Sequence, residues 1–171
     1  MPYINKGRFW TYGVKTRDEV DALTGMSTGD TVFCSTFKRP LTYDGELWMC
    51  NDFVKLKSAA VVTLVPGDMV RVAAGASGRC EQTTNASEIK AQGIVVWGGA
   101  DGDKIGIAIG GIYESLSNTA PSIGYMLISD ATDGEADATS GSGVGRFGNW
   151  LEATGAGGTA MLWLKPGMEF N

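Results

Sequence analysis

Between Lys104 and Ile109 the chain alternates without exception. Ile105, Ile107 and Ile109 point one way, and Lys104, Gly106 and Ala108 the other. That period of two is the signature of a β-strand with one apolar face and one small or solvated face. It is the clearest case of a pattern that runs through most of the chain. Short β-branched or aromatic runs recur at Thr31–Thr36, Leu47–Cys50, Ala59–Val65, Met69–Val72, Ile94–Trp97, Tyr125–Ile128 and Ala160–Leu164, each bounded by turn residues. Glycine supplies much of the punctuation, with 25 of 171 residues, against a usual share of about 7%. Strands this short and this regularly interrupted predict an all-β protein built from small antiparallel barrel or sandwich modules.

Helical periodicity is confined to Thr16–Leu23 (TRDEVDAL). Thr16 is placed to cap, Asp18 and Glu19 sit at the positive end of the helix dipole, Val20 and Leu23 share a face, and Gly25 suits the stop. One short helix near residues 16–24 is expected. Asp44-Gly45 predicts a tight hairpin with a type I′ turn. Gly29-Asp30, Gly67-Asp68 and Gly102-Asp103 each precede a strand. The sequence between them does not repeat, so they read as turn dipeptides rather than solenoid units. Composition shifts at Lys57-Ser58, which predicts an N-terminal arm and small hairpin module over 1–57 and a larger β barrel or sandwich over 58–171. Residues 129–145, mostly Ser, Thr, Ala, Gly and Asp, read as an exposed excursion.

The chain has no His, which removes the commonest general base and metal ligand together. Cys34, Cys50 and Cys80 show neither CxxC spacing nor an even count, so neither a zinc site nor a disulfide framework is indicated. The net charge is −5, which disfavours a nucleic-acid partner. No apolar run reaches membrane-span length, and Met1–Lys6 opens no signal-peptide pattern. A reducing compartment of synthesis and no membrane partner are therefore expected.

Motifs with catalytic potential dissolve on inspection. Gly143–Gly148 matches GxGxxG, but neither the strand before it nor the helix after it that a dinucleotide site needs is in place. Ser87-Glu88-Ile89-Lys90 matches SxxK by chance, since its companion motifs are missing. Asn85-Ala86-Ser87 is a sequon without a secretory context. Asp44, Asp52, Asp101 and Asp103 sit beside turns, where Asp is favoured for its own reasons. Asp130, Asp133, Glu135 and Asp137 form an acidic loop whose spacing is not that of an EF-hand; a solvated loop is the default, and cation binding there is left open. No catalytic residue, metal or cofactor is assigned. The five tryptophans and the tyrosines offer stacking platforms for sugars or bases, although most are expected in the core or at a subunit interface.

Three stretches carry a resemblance. Leu64–Val72 (LVPGDMVRV), Ile89–Val95 (IKAQGIV) and Gly102–Ile112 (GDKIGIAIGGI) together are similar to small capsid decoration, or cement, proteins of tailed bacteriophages. Tyr125–Asp130 followed by Gly145–Gly148 looks like other phage β modules. Ala22–Phe33 with Leu41–Trp48 resembles a short module of tail-fibre and virion proteins.

The resemblance implies a non-enzymatic virion structural protein on the capsid surface, made in the bacterial host cytoplasm. Its partner would be the major capsid protein, between whose subunits it binds to stabilise the phage head against internal DNA pressure. A homotrimer is expected. The alternative it leaves is a tail-fibre or receptor-binding subunit contacting host glycans. Phe9, Trp10 and Tyr12, aromatic residues in an otherwise polar arm, are the capsid-interface candidates; the competing expectation is that they pack within the chain.

Overall fold

The computed structural model describes residues 10–59, 63–73, 78–84, 91–117, 119–123, 126–129, 136–139 and 148–164. The chain divides into Met1–Cys50 and Asn51–Asn171. The boundary therefore lies ahead of β5 (Phe53–Ser58), which runs through position 57 and belongs with the second unit. Its apolar residues are too few to announce it, and its partners, β7 and β9, are remote in sequence.

In the first unit β1 (Val14–Lys15), β2 (Thr31–Cys34), β3 (Arg39–Tyr43) and β4 (Trp48–Met49) form one sheet in that order. β1 runs parallel to β2, and the other pairs are antiparallel. Val32 and Leu41 pair across the ladder and are fully buried with Cys34 and Trp48. Helix α1 (Arg17–Asp21) is shorter than its sequence pattern. It opens on a capping box: the Thr16 hydroxyl accepts the Glu19 N–H, and the Glu19 carboxylate accepts the Thr16 N–H at 2.7 Å. The Thr16 N–H first, and then the Thr16 hydroxyl donating to the same carboxylate at 3.1 Å, hold the Glu19 carboxyl below its usual range. Val20 anchors the helix inward.

The hairpin at Asp44-Gly45 differs from expectation. Gly45 has φ +102, but Lys38 is the one non-glycine residue with positive φ among those described. A type I′ turn needs two such positions. Asp44 instead accepts the N–H groups of Glu46 and Leu47 through Oδ1. That side-chain bond favours a longer loop.

The second unit holds a closed barrel, order β5-β7-β6-β8-β9, with β6 (Met69–Val72), β7 (Arg79–Gln82), β8 (Ala91–Trp97) and β9 (Lys104–Ala108). β5 closes it by pairing parallel with β7 and antiparallel with β9. Leu64, Val70, Cys80, Val95, Ile105 and Ile107 fill the interior. The alternation in β9 thus faces a barrel core. Its other face is also covered: Gly106 and Ala108 are buried. Over Gly106 the cause is a bulge in β8. Val95 pairs with Ile107 but Trp97 pairs with Gly106, so the extra residue, Val96, turns the indole onto the outer face. Of the apolar run Ala59–Val65, residues 60–62 lie outside the described residues, and Leu64 forms an isolated bridge to Gly99.

The remaining strands, β10 (Gly111–Leu116), β11 (Met126–Ser129), β12 (Ala136–Thr139), β13 (Gly148–Trp150) and β14 (Thr159–Leu164), form a five-stranded sheet ordered β10-β14-β13-β11-β12. Tyr113, Leu162 and Trp150 occupy one cross-strand row and are each no more than 1% exposed. This row faces the core. The Tyr113 ring packs at a tilt, 5.8 Å from Phe53 of the barrel, and the Ser115 hydroxyl donates to the Gly67 carbonyl at 2.9 Å. The fold is all-β with one short helix, as the pattern of strands and turns predicted. No described helix is long and apolar enough to cross a membrane.

The Gly-Asp dipeptides build the same turn three times. Asp30, Asp68 and Asp103 each donate their N–H to the carbonyl three residues back, on Ser27, Val65 and Ala100. Each carboxylate accepts the N–H of that same residue at 2.8, 2.8 and 2.9 Å. The glycines at 29, 67 and 102 have φ of +96, +101 and +84. A single positive φ at the third position makes these type II turns.

Candidate interaction surfaces

The aromatic residues of the arm part company in the structure. The Trp10 ring lies 5.8 Å from Phe33. Phe33 pairs with Val14 on one side and Pro40 on the other. It alternates with buried Val32 and Cys34, so this row faces away from the core of the first unit. Val14 is 66% exposed. Tyr12 packs edge-on against buried Trp48 at 5.9 Å, on the core side, and its hydroxyl donates to Asp30 at 3.3 Å. Burial, then the Asp30 charge, raises the Tyr12 phenol above its ordinary value. Gly13, at φ +71, takes a backbone conformation that other residues rarely adopt, which lets Tyr12 and Val14 serve opposite faces. Phe9 lies outside the described residues.

A second exposed apolar pair lies on the outward side of β10 and β14. Along β14 exposure alternates, with Ala160, Leu162 and Leu164 buried and Trp163 out. Trp163 is 47% exposed and its cross-strand neighbour Ile112 44%. Asn149 faces Trp163 from the other side, and Glu114 pairs with Met161 on the next rung. Glu152 accepts the Met161 N–H at 3.2 Å. By contrast Trp48, Trp97 and Trp150 are all buried, in line with the expectation that most tryptophans serve the core. Trp163 was findable from sequence, because three small or aliphatic residues alternate with it in one strand.

The turn aspartates have structural partners. Asp101 pairs with Arg79 at 2.7 Å, and Arg79 also donates to the Ser58 carbonyl. Asp44 and Asp103 hold backbone N–H groups. Asp68 also accepts from Gln82 at 3.1 Å, yet burial raises its carboxyl above the usual range. Gly148, the last glycine of the GxGxxG match, has a steric task. An added Cβ there would lie 1.8 Å from the Trp163 carbonyl. The rest of that match, Ser87–Lys90, the sequon and the acidic positions 130, 133 and 135 lie outside the described residues; Asp137 lies on β12. Among the described residues no cluster of three or more Cys, Asp or Glu is arranged to hold a metal.

No protein-family model matches this chain, and no curated protein matches it in sequence. In three dimensions it is similar to the N base of head fiber gp8.5 of bacteriophage phi29. The match has a TM-score of 0.53 and 16% identity, and covers 66% of this chain and 94% of that one. At that identity what the two share is the fold.

Proposed function

We propose that the protein is a non-enzymatic structural component of a tailed-phage virion, a decoration protein that binds the major capsid protein at the head surface and acts as a homotrimer. The observation that carries this reading is the likeness to a phage head-fiber base over nearly all of that chain. The two outward apolar faces agree with it. Aromatic and Met residues on a solvent-facing sheet are the composition of contact surfaces. A stable interface buries roughly 800 Å² per partner, and repetition of a face in a trimer would add to the contact by multivalency.

The row Trp10, Phe33, Val14 and Pro40 is the shell-facing surface in this reading. Assembled heads lacking the protein, incubated with the full chain and sedimented, test it directly. Saturable co-sedimentation, together with a trimer mass by light scattering, is the expected result. A monomer that stays in the supernatant overturns it.

A further inference from the structure

We propose that Asp44-Gly45, in the loop joining β3 and β4, is a self-modifying site that closes to a succinimide and reopens as isoaspartate, while the identical pair Asp101-Gly102 is locked against the same reaction. This is independent of the virion reading. Asp-Gly is open to this chemistry because glycine places no Cβ beside the nitrogen that must approach the carboxyl. Both pairs are exposed, so exposure does not separate them. Their hydrogen bonds do. At the first pair the N–H groups of Glu46 and Leu47 converge on Asp44 Oδ1 at 3.0 and 2.9 Å. Two backbone donors on one carboxyl oxygen stabilise the negative charge that grows there when a nucleophile adds to Cγ. The Gly45 nitrogen lies inside that same loop, which the Asp44 N–H closes on the Leu47 carbonyl at 3.0 Å. At the second pair the Gly102 N–H donates to the Ser58 carbonyl at 3.0 Å, and the Arg79 guanidinium holds Asp101 Oδ1 at 2.7 Å. Nucleophile and electrophile are there tied to different partners. The third such pair, Asp133-Gly134, lies outside the described residues.

The lone pair of the Gly45 nitrogen attacks Asp44 Cγ in its protonated carboxyl form. The nitrogen's proton and the Oδ2 hydroxyl leave together as water, and a cyclic imide forms with Oδ1 as its oxygen. Oδ1 remains an acceptor for the two N–H groups throughout. Water then adds at the former peptide carbonyl carbon of Asp44 and breaks its bond to nitrogen. The chain now runs through Cγ, and the α-carboxyl is free. No atom is gained or lost overall, and water is the one co-reactant. The product carries an extra backbone carbon beside the pair Tyr43 and Trp48, so conversion loosens the register of β3 with β4.

The test ages the full wild-type chain at neutral pH, folded and in urea, in water enriched in heavy oxygen. Isoaspartate is read by peptide mass spectrometry and by enzymatic isoaspartyl methylation. In the folded protein position 44 should convert about tenfold faster than position 101, the effect on a barrier of roughly one retained hydrogen bond. Each converted peptide should carry one heavy oxygen from opening of the imide, and in urea the two rates should converge. Arg79→Gln removes the clamp on Asp101 and should speed conversion at 101 while leaving 44 as it was. Should that variant fail to fold, the wild-type ratio decides alone. The proposal is overturned if position 44 stays intact in the folded chain while the urea sample converts, or if 101 keeps pace with 44 in the folded chain. Converted peptides without heavy oxygen, or a folded Arg79→Gln in which 101 is no faster, overturn it equally.

Discussion

Trp97 closes over Gly106 so tightly that a Cβ on the glycine would lie 2.4 Å from the indole Cδ1. Gly106→Ala must push the ring aside and should cost about 1–3 kcal/mol, the usual range for overpacking. Gly93→Ala should cost more. There the added carbon meets the Ala108 carbonyl oxygen at 2.0 Å, and backbone cannot step away as a side chain can. Urea midpoints of the two variants check this; a Gly93→Ala midpoint equal to wild type would refute it.

The reciprocal Gly-Asp turns predict a shared sensitivity. Removing the carboxylate at Asp30, Asp68 or Asp103 leaves one backbone N–H without its acceptor, on Ser27, Val65 or Ala100. Each Asp→Ala change should lower stability by about 1–2 kcal/mol, as for other hydrogen bonds to a charged acceptor. Asp68→Ala and Asp30→Ala should be more damaging than Asp103→Ala, because Gln82 and the Tyr12 hydroxyl respectively lose a partner as well. Thermal unfolding of the three variants ranks them.

Asp68 also gives a pH dependence of definite sign. Burial raises its folded-state value above the roughly 3.9 of an unfolded aspartate. Folding therefore takes up a proton between the two values. This stability is complete below the unfolded value and is lost as pH rises through the folded one. Asp68→Asn does not titrate, so its stability relative to wild type should rise as pH climbs past the unfolded aspartate value and level off once pH has passed the raised folded one. A relative stability that falls over that window contradicts the assignment.

The cysteines should sort by burial. Burial, with Glu81 adding to it, pushes the Cys80 thiol up to about 11, and burial raises Cys34 too. Both are buried free thiols, while Cys50 is partly exposed. Reaction requires the thiolate. Iodoacetamide at neutral pH should modify Cys50 alone in the folded protein and all three residues in denaturant, read by peptide mass spectrometry. Early labelling of Cys80 would mean the barrel opens readily.

The arm offers a sharper test than its removal. Deleting residues 1–15 would take β1 (Val14–Lys15) out of the sheet and confuse folding with binding. Trp10→Ala leaves the strand in place and, if the outward row meets the shell, should weaken co-sedimentation with heads about tenfold. Tyr12→Phe removes only the bond to Asp30 and should leave binding unchanged. Equal losses from both would point to a structural role for the arm.

Much of the fold was legible where signals are local. The α1 cap at Thr16, the strand at Lys104–Ala108 and the turns before Thr31, Met69 and Lys104 depend on neighbours a few residues away. β5 and β7 were not legible, because Lys57 and Ser58 pair with Arg79 and Cys80 and nothing in either stretch names the other. The bulge at Val96 was equally hidden. A run of Ile94-Val95-Val96-Trp97 looks uniformly apolar, and only the register with Gly106 shows that Trp97 has changed face. The outward surfaces were half legible. The aromatic residues of the arm stood out by composition, but Gly13 decides which of them faces outward.

The circular ladder β5-β7-β6-β8-β9 has a bearing on how the protein endures crowding. Its most insoluble stretches, around Val95 and Ile107, sit in strands with a partner on either side. No stray segment can template on them while the ring holds. A lesion that frees β5 would break that ring and expose two sticky rims at once, turning a sealed module into a seed for fibrils.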